Sequence, residues 1–320
     1  MNKYFKLGFA LILSLAGLYF AFKGESLVVI IEQLRNVNLI GIIIATILLL
    51  VSCIIRAYRW KILLLPFGNI DLHTVYGSTM IGYFGNSVLV FRLGELLKAH
   101  SVVKGENIEV SQAFGTVILE RILDLLAVFF IVILLAPWFP FSDKNMRFGV
   151  FAILTILIII ITVIVLIQKT KFISSLKKKT LSRSPFTQKI LLSIERLFEG
   201  LMVITKTNKT FTIFFTTVLL WFIYFVVSII TLYSCKINLG IVSTGILLAL
   251  GSIAIGIPAL PGSAGTYDAG IKYGLIYLFN IDSGQALNYA IISHALAYFP
   301  FLIVGLIYFL FSNISFKDLK

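Results

Sequence analysis

Between Phe148 and Ile167 the chain runs the length of a bilayer crossing without one charged residue. A helix needs about 20 mostly apolar residues to cross the hydrocarbon core. The pattern recurs at Leu7–Phe22, Leu39–Ile55, Thr210–Cys235 and Ala286–Phe311, and at Ala113–Pro137 with three charges inside it. Of the 320 residues, 59% are hydrophobic and 13% charged. A soluble domain carries about 25% charged residues and could not hide so much apolar surface. A disordered chain would lack it. The only cysteines, Cys53 and Cys235, lie in apolar runs, which excludes a disulfide scaffold. What remains is an all-α integral membrane protein, with residues 1–320 read as a single transmembrane domain.

Two stretches depart from the pattern. His73–Phe91 is apolar but interrupted by Gly77, Ser78, Gly82, Gly85, Asn86 and Ser87, and it ends in Arg92-Leu-Gly94-Glu95. Gly240–Pro258 breaks at an elbow, Pro258–Gly265, followed by a short helix, Thr266–Phe279. Backbone broken at membrane depth must be buried in protein or line a cavity. The expected architecture is therefore about six full transmembrane helices plus two broken or re-entrant elements. No small-x-small cleavage site follows the first span, so it is read as retained. Residues 24–38 read as an interfacial amphipathic helix. Residues 168–209 form a basic cytosolic segment that either contacts anionic headgroups or sets topology. Within it, Ile190–Met202 reads as a short amphipathic surface helix.

The formal net charge is +13. With both termini cytosolic, most Lys and Arg fall on the inner side, with Arg56, Arg59 and Lys61 closing the second span there. This places the chain as multi-pass in the cell (inner, cytoplasmic) membrane. The first broken element then enters from the cytosol and the second from outside. Opposite entry suggests an inverted-topology repeat, the arrangement in which alternating-access transporters hold a site near the midplane.

Charges within spans cost roughly 2.5–3.5 kcal/mol each on insertion scales, so they need a reason. Glu120 and Asp124 share a helical face, and Arg121 is placed to pair with Asp124. That set is one charge negative. Either another base completes it, Arg92 being a candidate, or one carboxylate stays protonated. Arg92 is also spaced to pair with Glu95. The set is either an ion network clamping helices or the lining of a polar cavity. At the elbow, Ser263 or Thr266 could cap the next helix, whose free N–H groups favour an anion. The alternative is a helix capped by its own Asp268, with Lys272 pairing with Asp268 or extending an anion site. His294 in the last span is either a hydrogen-bonded helix contact or a group with a proton or headgroup role. There is no zinc spacing, P-loop, Rossmann fingerprint or nucleophile elbow. No metal and no cofactor are therefore expected.

At these residues the chain resembles the lysylphosphatidylglycerol synthase transmembrane-region family of flippase-like proteins. The first mark is Asn86-x-x-Leu89-x-x-Arg92-x-Gly94-Glu95-x-x-Lys98, where the family usually has proline at Val90 and arginine at Lys98. The second is Glu120-Arg121-x-x-Asp124. The third is Pro258-x-x-Pro261-Gly262-x-x-Gly265-x-x-Asp268, where the family commonly has glycine at Ser263 and glutamate at Asp268. Arg56-x-x-Arg59-Trp60 also fits. The resemblance implies a membrane-embedded lipid translocase fold. No soluble aminoacyl-transferase domain is present before the chain ends at Lys320, so this chain is not expected to synthesise such a lipid by itself.

The leading expectation is movement of a lipid, or a lipid-linked headgroup, between leaflets, facilitated or ion-coupled. A spare carboxylate among Glu95, Glu120 and Asp124 would allow proton coupling. The residues expected to handle substrate are Asn86, Arg92, Glu95, Lys98, Glu120, Arg121, Asp124, Pro261, Gly262, Gly265, Asp268, Lys272 and His294. None is expected to be catalytic. Expected partners are membrane lipids with an anionic or phosphate-bearing headgroup, a second copy of the chain, or a separate lipid-modifying enzyme, and not nucleic acid. The rivals are a membrane-embedded enzyme acting on a lipid headgroup, with Glu120 or Asp124 as base, and a non-transporting scaffold.

Overall fold

The computed structural model describes residues 15, 18–22, 31–32, 34–89, 92–138, 155, 185–256, 261–312 and 314. Helices are the only regular structure among them, and those of ten residues or more are α1 Leu39–Leu64, α2 Leu72–Val88, α3 Gly94–Val103, α4 Val110–Leu135, α5 Pro185–Leu201, α6 Thr210–Ser234, α7 Ile241–Gly256, α8 Thr266–Phe279 and α9 Ser283–Phe311. Most of the interfacial segment 24–38, the span Phe148–Ile167 except Thr155, residues 168–184 and Pro258 lie outside the described residues.

α1, α6 and α9 have the length and hydropathy of membrane spans. Only 33%, 22% and 17% of their most apolar stretches are buried within the protein. Phe211, Phe214 and Phe222 on α6 and Ile303 and Leu310 on α9 face outward. In water each buried-to-exposed Å² would cost about 25 cal/mol, whereas lipid tails accept that surface. α4 is as long as α1, at 26 residues, but holds Glu120, Arg121 and Asp124.

α1 extends beyond its expected end. The sequence places Arg56 and Arg59 at a cytosolic edge, but the helix continues through Trp60 to Leu64 and both arginines are buried. The apolar run resumes at Ile62, and this second apolar stretch carries the helix past its own charges.

The first broken element is a helical hairpin. α3 has ten residues, and at 1.5 Å per residue is about half a bilayer core long. Its approach to α2 depends on glycines. A Cβ at Gly85 would lie 2.6 Å from Gly94 Cα, and one at Gly94 would overlap Gly82 O and Asn86 N. The second broken element is α7, a turn at Pro261–Ser263, and α8, which pack on each other. α9 packs against both α2 and α8.

α5 corrects a further expectation. It is not confined to a surface: it packs on α4 through Gly200 against Gly115, their Cα neighbourhood leaving no room for a side chain. Glu195 is buried, Glu199 accepts from Gln112 at 3.0 Å, and Arg196 pairs with Glu109 at 2.8 Å.

Candidate functional site

Two residues four apart on α4 and two residues three apart on α1 face each other across the helix interface. Arg56 reaches Asp124 at 2.8 Å and Glu120 at 3.2 Å. Arg59 reaches Asp124 at 2.8 Å and Glu120 at 3.3 Å. α3 supplies the next layer: Lys98 Nζ lies 2.6 Å from Glu120 and 4.0 Å from the centre of the Trp60 ring. Arg121 turns to Glu95 at 2.8 Å, with Asp124 more distant at 3.5 Å. α6 completes the shell, with Thr217 and Tyr224 accepting from Arg59 and Arg56. Trp60 is fixed by its own bond to Thr116 at 2.9 Å.

Glu120, Arg59 and Lys98 are almost wholly excluded from solvent. Charges survive such burial only when closely paired and hydrogen-bonded. The network is therefore a clamp joining α1, α3 and α4. It is also unbalanced. Four cations, Arg56, Arg59, Lys98 and Arg121, meet three carboxylates, Glu95, Glu120 and Asp124. The sequence counted the set as one charge negative because it did not bring Arg56, Arg59 and Lys98 to it. The spare charge is a cation, and every carboxylate has a cationic partner, so no carboxylate is left over to carry a proton.

A tight crevice, closed to water as it stands, lies beside this cluster, lined by Thr79, Gly82, Tyr83, Asn86, Glu95, Lys98 and Arg121. Asn86 donates to Glu95 at 3.4 Å. Among the described residues, the buried Asn86 Oδ1 and Arg121 Nε have no hydrogen-bond partner, nor do Arg56 Nε and Arg59 Nε within the cluster. Buried polar atoms of this kind are uncommon and call for an explanation.

Arg92 does not join the cluster. It sits at φ 54 in the turn between α2 and α3, and its guanidinium donates to Ile255 O at 2.7 Å, at the end of α7. Glu95, its expected partner, is taken by Arg121. The tips of the two broken elements are thereby joined. Tyr298 ties α9 to the first broken element, donating to Ser87 O at 3.1 Å.

The elbow itself is strained. Gly262, Ser263 and Gly265 have φ of 73, 62 and 85°. The non-glycine residue Ser263 pays roughly 1–2 kcal/mol for the left-handed region. Its hydroxyl donates to Ile255 O at 3.3 Å. The α8 N-cap is Gly265, not Ser263 or Thr266, and Asp268 Oδ2 accepts from the Gly265 N–H at 2.9 Å. Asp268 thus caps its own helix, which takes the place of an anion there. Asp268 Oδ1 meets His294 Nδ1 at 2.8 Å, and His294 Nε2 meets Gly262 O at 2.9 Å. Lys272 leaves the elbow, its buried ammonium donating to Ala21 O at 2.7 Å. Pro261 opens the turn. Tyr267, which the sequence did not single out, lies beside His294 with the two rings tilted at 59° and their centres 5.3 Å apart.

The candidate residues thus divide into two groups, a charged interior at Glu95, Lys98, Glu120, Arg121 and Asp124 with Asn86 at its rim, and an elbow at Pro261–Asp268 with His294. Arg92 bridges them. Among the described residues no group of His, Cys, Asp and Glu could hold a metal.

Lipid-facing helices around a buried charge network define a multi-pass membrane protein with a polar interior. Residues 7–305 match the lysylphosphatidylglycerol synthase TM region, and the chain belongs to that family. It is 27% identical over 235 residues to the UPF0104 membrane protein MJ1078 of Methanocaldococcus jannaschii, covering 71% of this chain and 93% of that one. It is 29% identical over 113 residues to the UPF0104 membrane protein MJ1595 of the same organism, 34% of each chain. No solved structure matches.

Proposed function

We propose that this protein moves a phospholipid between leaflets, sheltering its phosphate-bearing headgroup at the crevice beside Lys98 and Arg121 while the tails stay in lipid. The observation that carries the reading is the cation excess of the buried network together with the unpartnered Arg121 Nε at the crevice. A phosphate accepts several N–H bonds at once, and a guanidinium is shaped to give them. The unpartnered Asn86 Oδ1 would accept from a headgroup hydroxyl or amine. The crevice is narrow as it stands, so entry requires the Arg121–Glu95 pair to part. The joined tips of the two broken elements fit a midplane site reached by opposed gates, and the basic segments fit cytosolic termini in the cell membrane.

The test is the lipid that copurifies in mild detergent, identified by mass. The reading expects an anionic phospholipid with the wild type and its loss, per folded protein, with Arg121→Gln. Equal lipid content in both proteins would move the headgroup elsewhere.

A further inference from the structure

We propose that Asp268 and His294 form a proton-binding site, and that the bound proton latches the elbow shut. Both ring nitrogens of His294 face acceptors: Nδ1 faces the Asp268 carboxyl oxygen at 2.8 Å and Nε2 faces the Gly262 carbonyl at 2.9 Å. A carbonyl oxygen cannot donate, so Nε2 must carry a hydrogen. The Nδ1–Oδ1 contact needs a second hydrogen, on the ring or on the carboxyl. The pair therefore holds two protons, either as imidazolium and carboxylate or as neutral ring and carboxylic acid. Remove one and a neutral ring faces an ionised carboxylate. One of the two contacts then sets lone pair against lone pair.

The contact at risk holds the turn. Gly262 O belongs to the run of left-handed residues, and Asp268 Oδ2 secures Gly265 in the same run. Losing the proton loosens His294 from Gly262 or from Asp268, and with it the strained backbone. On α8 the ionisable groups beside the ring are Asp268 and Tyr267, the latter engaged with Ser293 at 3.0 Å. On α9 it is Tyr298, bonded to Ser87 O of α2. Also on α2, Tyr83 stacks on Phe301. α1 turns Arg56 and Arg59 toward α4, with Tyr224 of α6 on Arg56. Arg92 meets the elbow at Ile255 rather than at the ring. Asp268 is the charged group in contact with His294.

The proton site stands on this geometry alone. Its use in transport rests on the translocation reading, where release of the proton would open one gate.

Asp268→Asn separates the latch from its proton. The amide N–H can donate to Nδ1, its oxygen can accept from Gly265, and a neutral ring still donates to Gly262. The elbow is then closed without a titrating charge. In full-length protein lacking Cys53 and Cys235, a single cysteine at Ser263 is labelled by a small thiol reagent from neutral to alkaline pH. Each rate is divided by that of the same cysteine in Asp268→Asn, which removes the thiol's own pH dependence. We expect the ratio to start near one and rise at least tenfold as the proton leaves. His294→Phe should label fast throughout. A flat ratio overturns the latch. Ring ¹⁵N spectra of histidine-labelled protein, assigned with His294→Gln, give a measurement independent of labelling. At neutral pH, both nitrogens protonated supports the site. A ring protonated only at Nε2 supports it when the infrared band of a protonated Asp268 accompanies it, and overturns it when that band is absent. Neither readout requires lipid movement. A rising ratio in a protein that exchanges no phosphatidylglycerol in vesicles keeps the proton site and removes the translocase, and exchange with a flat ratio does the reverse.

Discussion

Arg59 shows how a single side chain can decide whether a charged interior survives. One terminal nitrogen bonds both Glu120 and Asp124, and the residue has no exposed surface. Arg59→Ala should cost about 3–5 kcal/mol, because it breaks buried ion pairs to Glu120 and Asp124 at once. The exposed Lys209→Ala should stay within about 0.5 kcal/mol of wild type. Unfolding midpoints in detergent compare the two, and equal midpoints would remove Arg59 from the network. At the elbow, Gly262 has φ 73 and a Cβ there would lie 2.6 Å from a Tyr298 ring carbon. Gly262→Val should fold but lose leaflet exchange at least tenfold; normal exchange would exclude the elbow from the mechanism. Glu120, Arg121 and Asp124 were legible in sequence because charge inside an apolar run stands out. Arg56 and Arg59 were misplaced because they lie next to Lys61, where a span would plausibly end. Their spacing of three, which puts both on one helical face as the spacing of four does for Glu120 and Asp124, and the apolar run after Lys61 were the signals available. The His294–Gly262 contact joins residues 32 positions apart, which no local pattern encodes.

Helices of this protein meet most closely where side chains are missing. Gly94 lets α3 cross α2, and a methyl group there would strike Gly82 O and Asn86 N, both backbone atoms that cannot step aside. Gly94→Ala should therefore abolish monodisperse protein, while Gly240→Ala, with nothing near its Cβ, should leave the yield unchanged. Equal yields on size-exclusion chromatography would contradict the hairpin packing. The elements themselves were largely legible. Thr266–Phe279 runs as the sequence placed it, and Thr210–Ser234 and Ser283–Phe311 differ only at their ends. Hydropathy carries that information, since each span must satisfy its backbone internally. α5 was less legible. Its polar face suggested solvent, but the helix packs on α4 at a glycine contact and Glu195 on it is buried, and such a contact depends on a partner far along the chain.

At the scale of the whole molecule, the two broken elements touch through Arg92 and Ile255, and three buried bases no longer count toward orientation. Lys61, Lys104 and the bases of residues 169–209 still do, so the expected sidedness is unchanged. A single cysteine at Leu93 should label with an impermeant reagent only after the membrane is opened, and one at Ser263 should label from outside intact cells. Labelling of both from one side would end the account of opposed gates. The most direct measurement is leaflet exchange of tail-labelled phosphatidylglycerol in vesicles holding the purified protein. The wild type should exchange it without changing its mass. Arg121→Gln, which takes one cation from the network and the partner from Glu95, should slow exchange at least tenfold per folded protein. Exchange by Arg121→Gln at the wild-type rate, or no exchange by folded wild type, would contradict the account.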